Sequence, residues 1–123
     1  MMTVRAQLKE SPIEGIGVFA AEPVKAGQVV WEFNPDFDKE ISREFYEAAT
    51  GRLREYLDRY SYFKPGDDSV LVLEGDEGRY LNHTSKPNTD FSGWPVAVAL
   101  RDIAVGEEIT CDYSTFCPGF ELY

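Results

Sequence analysis

Two cysteines, one histidine and no long apolar run are what this chain of 123 residues has least of, and each shortage excludes something. Cys111 and Cys117 are too few for a disulfide framework, so the fold must rest on burial rather than on covalent staples. With His83 as the sole imidazole they also fall short of a structural zinc site, which takes four Cys/His ligands in closely spaced pairs. No metal is expected. No apolar stretch approaches the ~20 residues of a membrane-spanning helix, and the N-terminus has no signal-peptide pattern. The expectation is a soluble protein of a reducing, cytoplasmic compartment. Basic residues are scarce as well, 12 against 22 acidic, for a net charge of −10. Such a charge repels nucleic acid and draws cationic partners, although it also serves simply to keep a small protein in solution.

What is there is enough to pack. Hydrophobic residues at 43% and aromatics at 14% support a core, and the length suits one domain spanning residues 1–123. Thr3 to Leu8 alternates apolar and polar residues and reads as a strand. Glu14-Gly15-Ile16-Gly17 follows as a tight turn, whose glycines either close an ordinary hairpin or let a ligand approach bare backbone. Further short strands are predicted over 18–21, 28–33, 69–73, 96–100 and 108–113. One helix is predicted over residues 42–60: Ser42 can cap it, and Phe45, Ala49, Leu53, Tyr56, Leu57 and Tyr60 recur at helical steps. Gly51 is its weak point, about 1 kcal/mol worse than alanine in a helix. Glu74, Asp76 and Glu77 fall in a glycine-bounded loop, and residues 114–123 form a short tail. The pattern is mostly β with one inserted helix.

Few residues advertise chemistry. No serine or cysteine sits in a nucleophile motif, and no carboxylate pair is spaced for glycoside cleavage. His83 serves either as a base or as a structural hydrogen-bonding residue. The Asn82-His83 pair offers an amide and backbone groups that suit a heteroaromatic ligand such as adenine, or it bonds only within its own turn. Tyr113 closes the last strand and either points its hydroxyl into a cleft or belongs to the core.

Four segments, taken in order, resemble the SET domain of protein-lysine methyltransferases. They are Gly15-Ile16-Gly17-Val18-Phe19-Ala20, then Lys25-Ala26-Gly27-Gln28-Val29-Val30-Trp31-Glu32-Phe33. Arg79-Tyr80-Leu81-Asn82-His83-Thr84-Ser85-Lys86-Pro87-Asn88 comes next, and Gly106-Glu107-Glu108-Ile109-Thr110-Cys111-Asp112-Tyr113 is last. Thr84 stands where the family carries serine.

The resemblance implies a β-clip of small curved sheets with a knot-like threading of the C-terminal segment, an exception to the usual rule. Residues 42–60 would be the family's variable insert. It implies methyl transfer from S-adenosylmethionine to a lysine amine of a basic protein or peptide, with a histone tail as one candidate. Ile16, Gly17, Asn82, His83 and Phe116 would hold the cofactor, and Tyr113 would align the methyl group with the amine. Phe33, Phe91 and Cys111 would line the lysine channel. Phenylalanine at 33 and 91, where relatives carry tyrosine hydroxyls, leaves room for di- or trimethylation. The cysteine-rich zinc segment of many relatives has no counterpart here, so Phe116, Phe120 and Tyr123, or a second copy in a homodimer, would cover the site. In a eukaryotic host the resemblance points to the nucleus. The alternative is a SET-like interaction module without catalysis.

Overall fold

A computed structural model describes residues 1–116. Three small sheets carry the fold. β1 (Ala6–Glu10) and β2 (Ile16–Ala20) form an antiparallel hairpin, closed where the Ser11 amide donates to the Gly15 carbonyl at 2.8 Å. Gly15 turns the chain with φ +45°, a conformation that side chains resist. Val18 and Ala20 point inward and are buried, whereas β1 is largely exposed. The first strand lies two or three residues later than the alternation of residues 3–8 predicts, because Met2 and Val4 enter the core instead.

β3 (Val29–Glu32), β8 (Thr89–Asp90) and β9 (Val96–Ala99) make the second sheet, in the order β3-β9-β8. Trp31 and Phe91 meet at its inner face with ring centroids 5.1 Å apart, and both are buried. The third sheet is β4-β6-β5, from β4 (Lys39–Ser42), β5 (Tyr62–Lys64) and β6 (Asp67–Leu73). Its edge strands escape the sequence patterns because each is only three or four residues long.

The single helix predicted over 42–60 is two. Ser42 does cap α1 (Arg43–Ala48), accepting from the Phe45 amide at 3.1 Å. Ala49 and Thr50 are extended, and Gly51 opens α2 (Gly51–Tyr60) with φ +62°. A residue in the left-handed region cannot continue a right-handed helix, so the break falls at the weak point. Ile41, Ala49, Leu57 and Leu71 form a small second core beneath these helices.

The main core, including Val18, Trp31, Phe91, Ile103 and Ile109, holds the first two sheets together. Through it runs β10 (Glu108–Cys111), antiparallel to β2 on one side and parallel to β7 (Asn82–His83) on the other. No described helix is long and apolar enough to cross a membrane. The expectations for Cys117, Phe120 and Tyr123 lie outside the described residues.

Candidate active site

The parallel pairing of β10 with β7 sets Thr110 opposite Asn82 and Cys111 opposite His83, across about thirty residues of chain. Asn88 clasps the two segments. Its amide nitrogen donates to the Glu108 carbonyl at 2.7 Å, and its Oδ1 accepts from the Thr110 amide at 2.9 Å. The chain then turns out of β10 through a 3₁₀ turn, Tyr113–Thr115, capped by Asp112, which accepts from the Ser114 amide and hydroxyl. Those hydrogen bonds, with the nearby His83, hold the Asp112 carboxyl below its ordinary pKa. The Tyr113 amide donates to His83 Nδ1 at 3.0 Å, and the Tyr113 hydroxyl donates to the Leu81 carbonyl. An accepting Nδ1 leaves the neutral ring's proton on Nε2, so His83 holds the turn in shape and is not poised as a base at that atom.

On one side of Tyr113 lies a cleft of about 430 Å³, lined by Ile13, Glu14, Gly15 and Ile16 from the hairpin loop, Asn82 and His83 from β7, and Arg59 from α2. Asn82 builds it. Its Nδ2 donates to the Glu14 and Ile16 carbonyls, each at 3.2 Å, and to Glu108 Oε2 at 2.9 Å. A Cβ at Gly17 would fall on the Glu108 carboxylate, 2.9 Å from its Cδ, so the glycine makes room for this buried tie. Arg59 reaches across the rim to Glu14 at 2.9 Å, and that hydrogen bond raises the guanidinium's already high pKa.

On the other side lies an aromatic cavity of about 240 Å³, whose walls include Tyr62, Phe91, Cys111, Phe116 and Glu74. Phe91 stacks on Phe116 at 5.1 Å, and Tyr62 and Tyr113 meet Phe116 edge-on at 5.1 and 5.9 Å. Arg59, Tyr60, Arg79, Leu81 and Tyr113 belong to the walls of both spaces. Tyr113 therefore stands at the partition between a polar cleft and an aromatic cavity.

One group in the aromatic cavity is out of character with its surroundings. Glu74, assigned by sequence to a glycine-bounded loop, is 4% exposed. Burial pushes its carboxyl up to about 8, and neighbouring Asp38 and Asp76 push the same way against the Met1 amino group and a hydrogen bond from Tyr62. The Tyr62 hydroxyl donates to Glu74 Oε1 at 3.2 Å, and Trp94 Nε1 donates to that hydroxyl at 3.2 Å. Asp38, by contrast, is a satisfied buried acid that accepts from the backbone nitrogens of Met1, Asn34 and Gly75, each at 2.9 Å.

The SET-domain family model matches residues 15–114 of this chain. The chain belongs to the SET-domain family. That family is one of protein-lysine N-methyltransferases that use S-adenosylmethionine. Among curated relatives, a Candida albicans histone-lysine N-methyltransferase, H3 lysine-36 specific, is 26% identical over 89% of this SET domain. A Plasmodium falciparum variant-silencing SET domain-containing protein is 30% identical over 88% of it. The chain spans only 14% and 5% of those two proteins. A Chaetomium thermophilum Polycomb Repressive Complex 2 chain, solved in an autoinhibited conformation bound to S-adenosylmethionine, superposes with a TM-score of 0.71 at 25% identity. That match covers 94% of this chain and 16% of the solved one.

Within this SET domain the sequence-predicted residues divide. Ile16, Asn82 and His83 come together in the cleft, Phe91 and Cys111 come together in the cavity, and Tyr113 borders both. Three residues land elsewhere. Gly17 is not among the residues lining the cleft, and its missing side chain makes room for Glu108. Phe116 belongs to the aromatic cavity and not to the cleft, because the 3₁₀ turn swings it onto Phe91. Phe33 is outside the cavity wall: it packs on Trp94 at 5.3 Å, with Lys64 Nζ 5.6 Å over its ring. Tyr62, Glu74, Arg59 and Arg79 also line these spaces, and the sequence did not single them out as site residues. The Tyr62-Phe63 pair between α2 and the Pro65-Gly66 turn carried a weak strand signal, whereas nothing in the acidic run 74–77 marks Glu74 as buried.

Proposed function

We propose that this chain transfers a methyl group from S-adenosylmethionine to the side-chain amine of a lysine in a basic protein or peptide. The observation that carries the proposal is the position of Tyr113, whose side chain is part of the wall of both the polar cleft and the aromatic cavity. The residues of the cleft fit the cofactor's chemistry. Bare backbone from Glu14 to Ile16 and at His83 suits an adenine edge, a half-exposed Ile16 side chain suits its face, and Arg59 with Glu14 suits a zwitterionic amino-acid end.

When bound, S-adenosylmethionine supplies an electrophilic methyl group and a nearby positive charge. The protein's work is on the amine. Only the neutral amine attacks, and a lysine with pKa about 10.4 costs roughly 4 kcal/mol to deprotonate at pH 7. Phe91, Phe116 and Tyr62 surround it with rings that disfavour the ammonium by desolvation and exclude water. Tyr113, held by its amide on His83 and by its hydroxyl on the Leu81 carbonyl, fixes the edge at which amine and methyl meet, and such alignment removes much of the entropic barrier.

The substrate side is expected to be basic. Asp67 and Asp68 are exposed and the chain is strongly acidic, which favours encounter with a cationic tail. The experiment is calorimetry with S-adenosylmethionine, followed by transfer of labelled methyl to mixed core histones, with Tyr113→Phe alongside. Saturable binding with Tyr113-dependent labelling supports the proposal. Binding without labelling of any basic protein leaves the non-catalytic interaction module, and no binding ends the cofactor assignment.

A further inference from the structure

The aromatic cavity holds a carboxyl group for which the alignment of methyl and amine has no use. Glu74 is buried at the cavity wall, with Oε1 taken by the Tyr62 hydroxyl at 3.2 Å. Oε2 makes no hydrogen bond among the described residues. The space beside Oε2 is kept open by a glycine: a Cβ at Gly78, itself a wall residue, would sit 2.8 Å from that oxygen. A buried acid with one satisfied oxygen, one unsatisfied oxygen and a cleared approach is an acceptor waiting for a donor. Among the described residues that face it, none donates to Oε2. Asp38 and Asp76 are acids, and the guanidinium of Arg79 is turned to the backbone carbonyl of Glu74, at 3.0 and 2.7 Å. The Met1 amino group is held by Asp38 and the Glu32 carbonyl. On the opposite walls stand Asp58, paired with Arg54, and Arg59, paired with Glu14, besides Cys111 and Tyr113.

We propose that Glu74 is the specificity-determining acceptor for the methyl-accepting side chain, its Oε2 receiving the N–H of a primary ammonium that enters the cavity. This rests on the methyltransferase reading above and names how that site tells lysine from an uncharged chain of the same length. As the ammonium enters, the resting carboxylic acid gives its proton to solvent, and the resulting carboxylate and ammonium form an ion pair that buries no net charge. The ion pair is the resting bound state; only as the nitrogen closes on the methyl donor does its proton pass to Oε2, which leaves a neutral carboxylic acid and a neutral amine with its lone pair. The nitrogen then forms a bond to the methyl carbon as the carbon–sulfur bond of the sulfonium donor breaks, and sulfur keeps that electron pair as a thioether. The proton on Glu74 returns to solvent after product leaves. The elevated pKa of about 8 suits a group that exchanges a proton with an amine rather than one that stays ionised.

Two measurements on wild type and Glu74→Gln test the assignment, since glutamine keeps the acceptor for Tyr62. The first needs no turnover. Difference infrared spectra of the protein at pH 7 should show a protonated-carboxyl band, absent in Glu74→Gln, that is lost when n-butylamine is added and kept when n-butanol is added. The second is the pH profile of kcat/KM for methyl transfer to core histones. Wild type should rise through a midpoint near pH 8 to a plateau near pH 9 and fall again above about pH 10, the amine's own ionisation. Glu74→Gln should lose at least tenfold at pH 7 and keep climbing to about pH 10, because its amine must arrive already neutral. An n-butylamine-insensitive carboxyl band, or a Glu74→Gln profile that overlays wild type, overturns the assignment while leaving the methyltransferase reading in place. Wild type that labels no basic protein overturns both.

Discussion

Replacing Glu74 by glutamine should make this protein more stable, by an amount that depends on pH in a defined way. The carboxyl is buried and its pKa rises on folding from the ordinary 4.5 to about 8. Below pH 4.5 it is neutral in both folded and unfolded chains and contributes nothing. Between pH 4.5 and 8 the folded state keeps a proton that the unfolded state releases, so stability falls as pH rises. At about 1.4 kcal/mol per pH unit, the loss reaches roughly 3 kcal/mol at pH 7 and roughly 5 kcal/mol at pH 8 and above. Glutamine carries no proton to lose and still accepts from Tyr62. Thermal melts of the two proteins from pH 4 to pH 9 should therefore coincide at the acid end and separate steadily, with a gap on the order of 10 °C at pH 7. Parallel curves, or a gap that shrinks as pH rises, would refute the claim that this carboxyl is buried and protonated in the native state. A residue that weakens the fold at neutral pH and lies in the site is what a stability–function compromise looks like.

Tyr113→Phe removes the hydroxyl bonded to the Leu81 carbonyl, costing about 1 kcal/mol of stability by denaturant titration. It should cut methyl transfer at least tenfold with S-adenosylmethionine binding nearly unchanged by calorimetry; equal losses in both would make the residue merely structural. Gly17→Ala drives a methyl group into the Glu108 carboxylate and takes from Asn82 one of its three acceptors, so stability should fall by roughly 1–3 kcal/mol and cofactor binding should weaken with it. Arg59→Ala breaks a half-exposed ion pair with Glu14, worth under about 1 kcal/mol to folding, yet it should weaken S-adenosylmethionine binding about tenfold; unchanged affinity excludes Arg59 from the cleft's function. Phe33→Tyr should leave the number of methyl groups transferred unchanged by mass spectrometry, because Phe33 faces Trp94 and not the cavity.

Much of what lines the cleft and the cavity is legible in the sequence. Asn82, His83 and Tyr113 are polar residues at the ends of short strands, and their ordered segments pick out the cleft and its partition. Phe91 and Cys111 were legible only through the family resemblance, which implies that they line the lysine channel. Phe33 was not, because a period-two pattern tells which residues share a face but not which neighbour covers that face, and here Trp94 does. Phe116 follows a 3₁₀ turn whose direction depends on the Asp112 cap, a local geometry that residue types alone leave open. Glu74 reads from sequence as part of a glycine-bounded acidic loop, and only the packing of β5, the 38–40 region and a second 3₁₀ turn, Glu77–Tyr80, around it makes it a buried acid.

Composition and local pattern were enough to decide that the chain is acidic, mostly β, too poor in cysteine for a disulfide framework, and interrupted by a helical insert whose weak point is Gly51. Those are properties of neighbouring residues, and short-range sterics and hydrophobic periodicity act on neighbours. Only the tertiary structure decided that β10 lies parallel to β7, which sets Tyr113 against His83 and divides one space into a polar cleft and an aromatic cavity. Only it decided that Glu74 is dry. A side chain's solvent and partners come from segments far away in sequence, and no local rule can supply them.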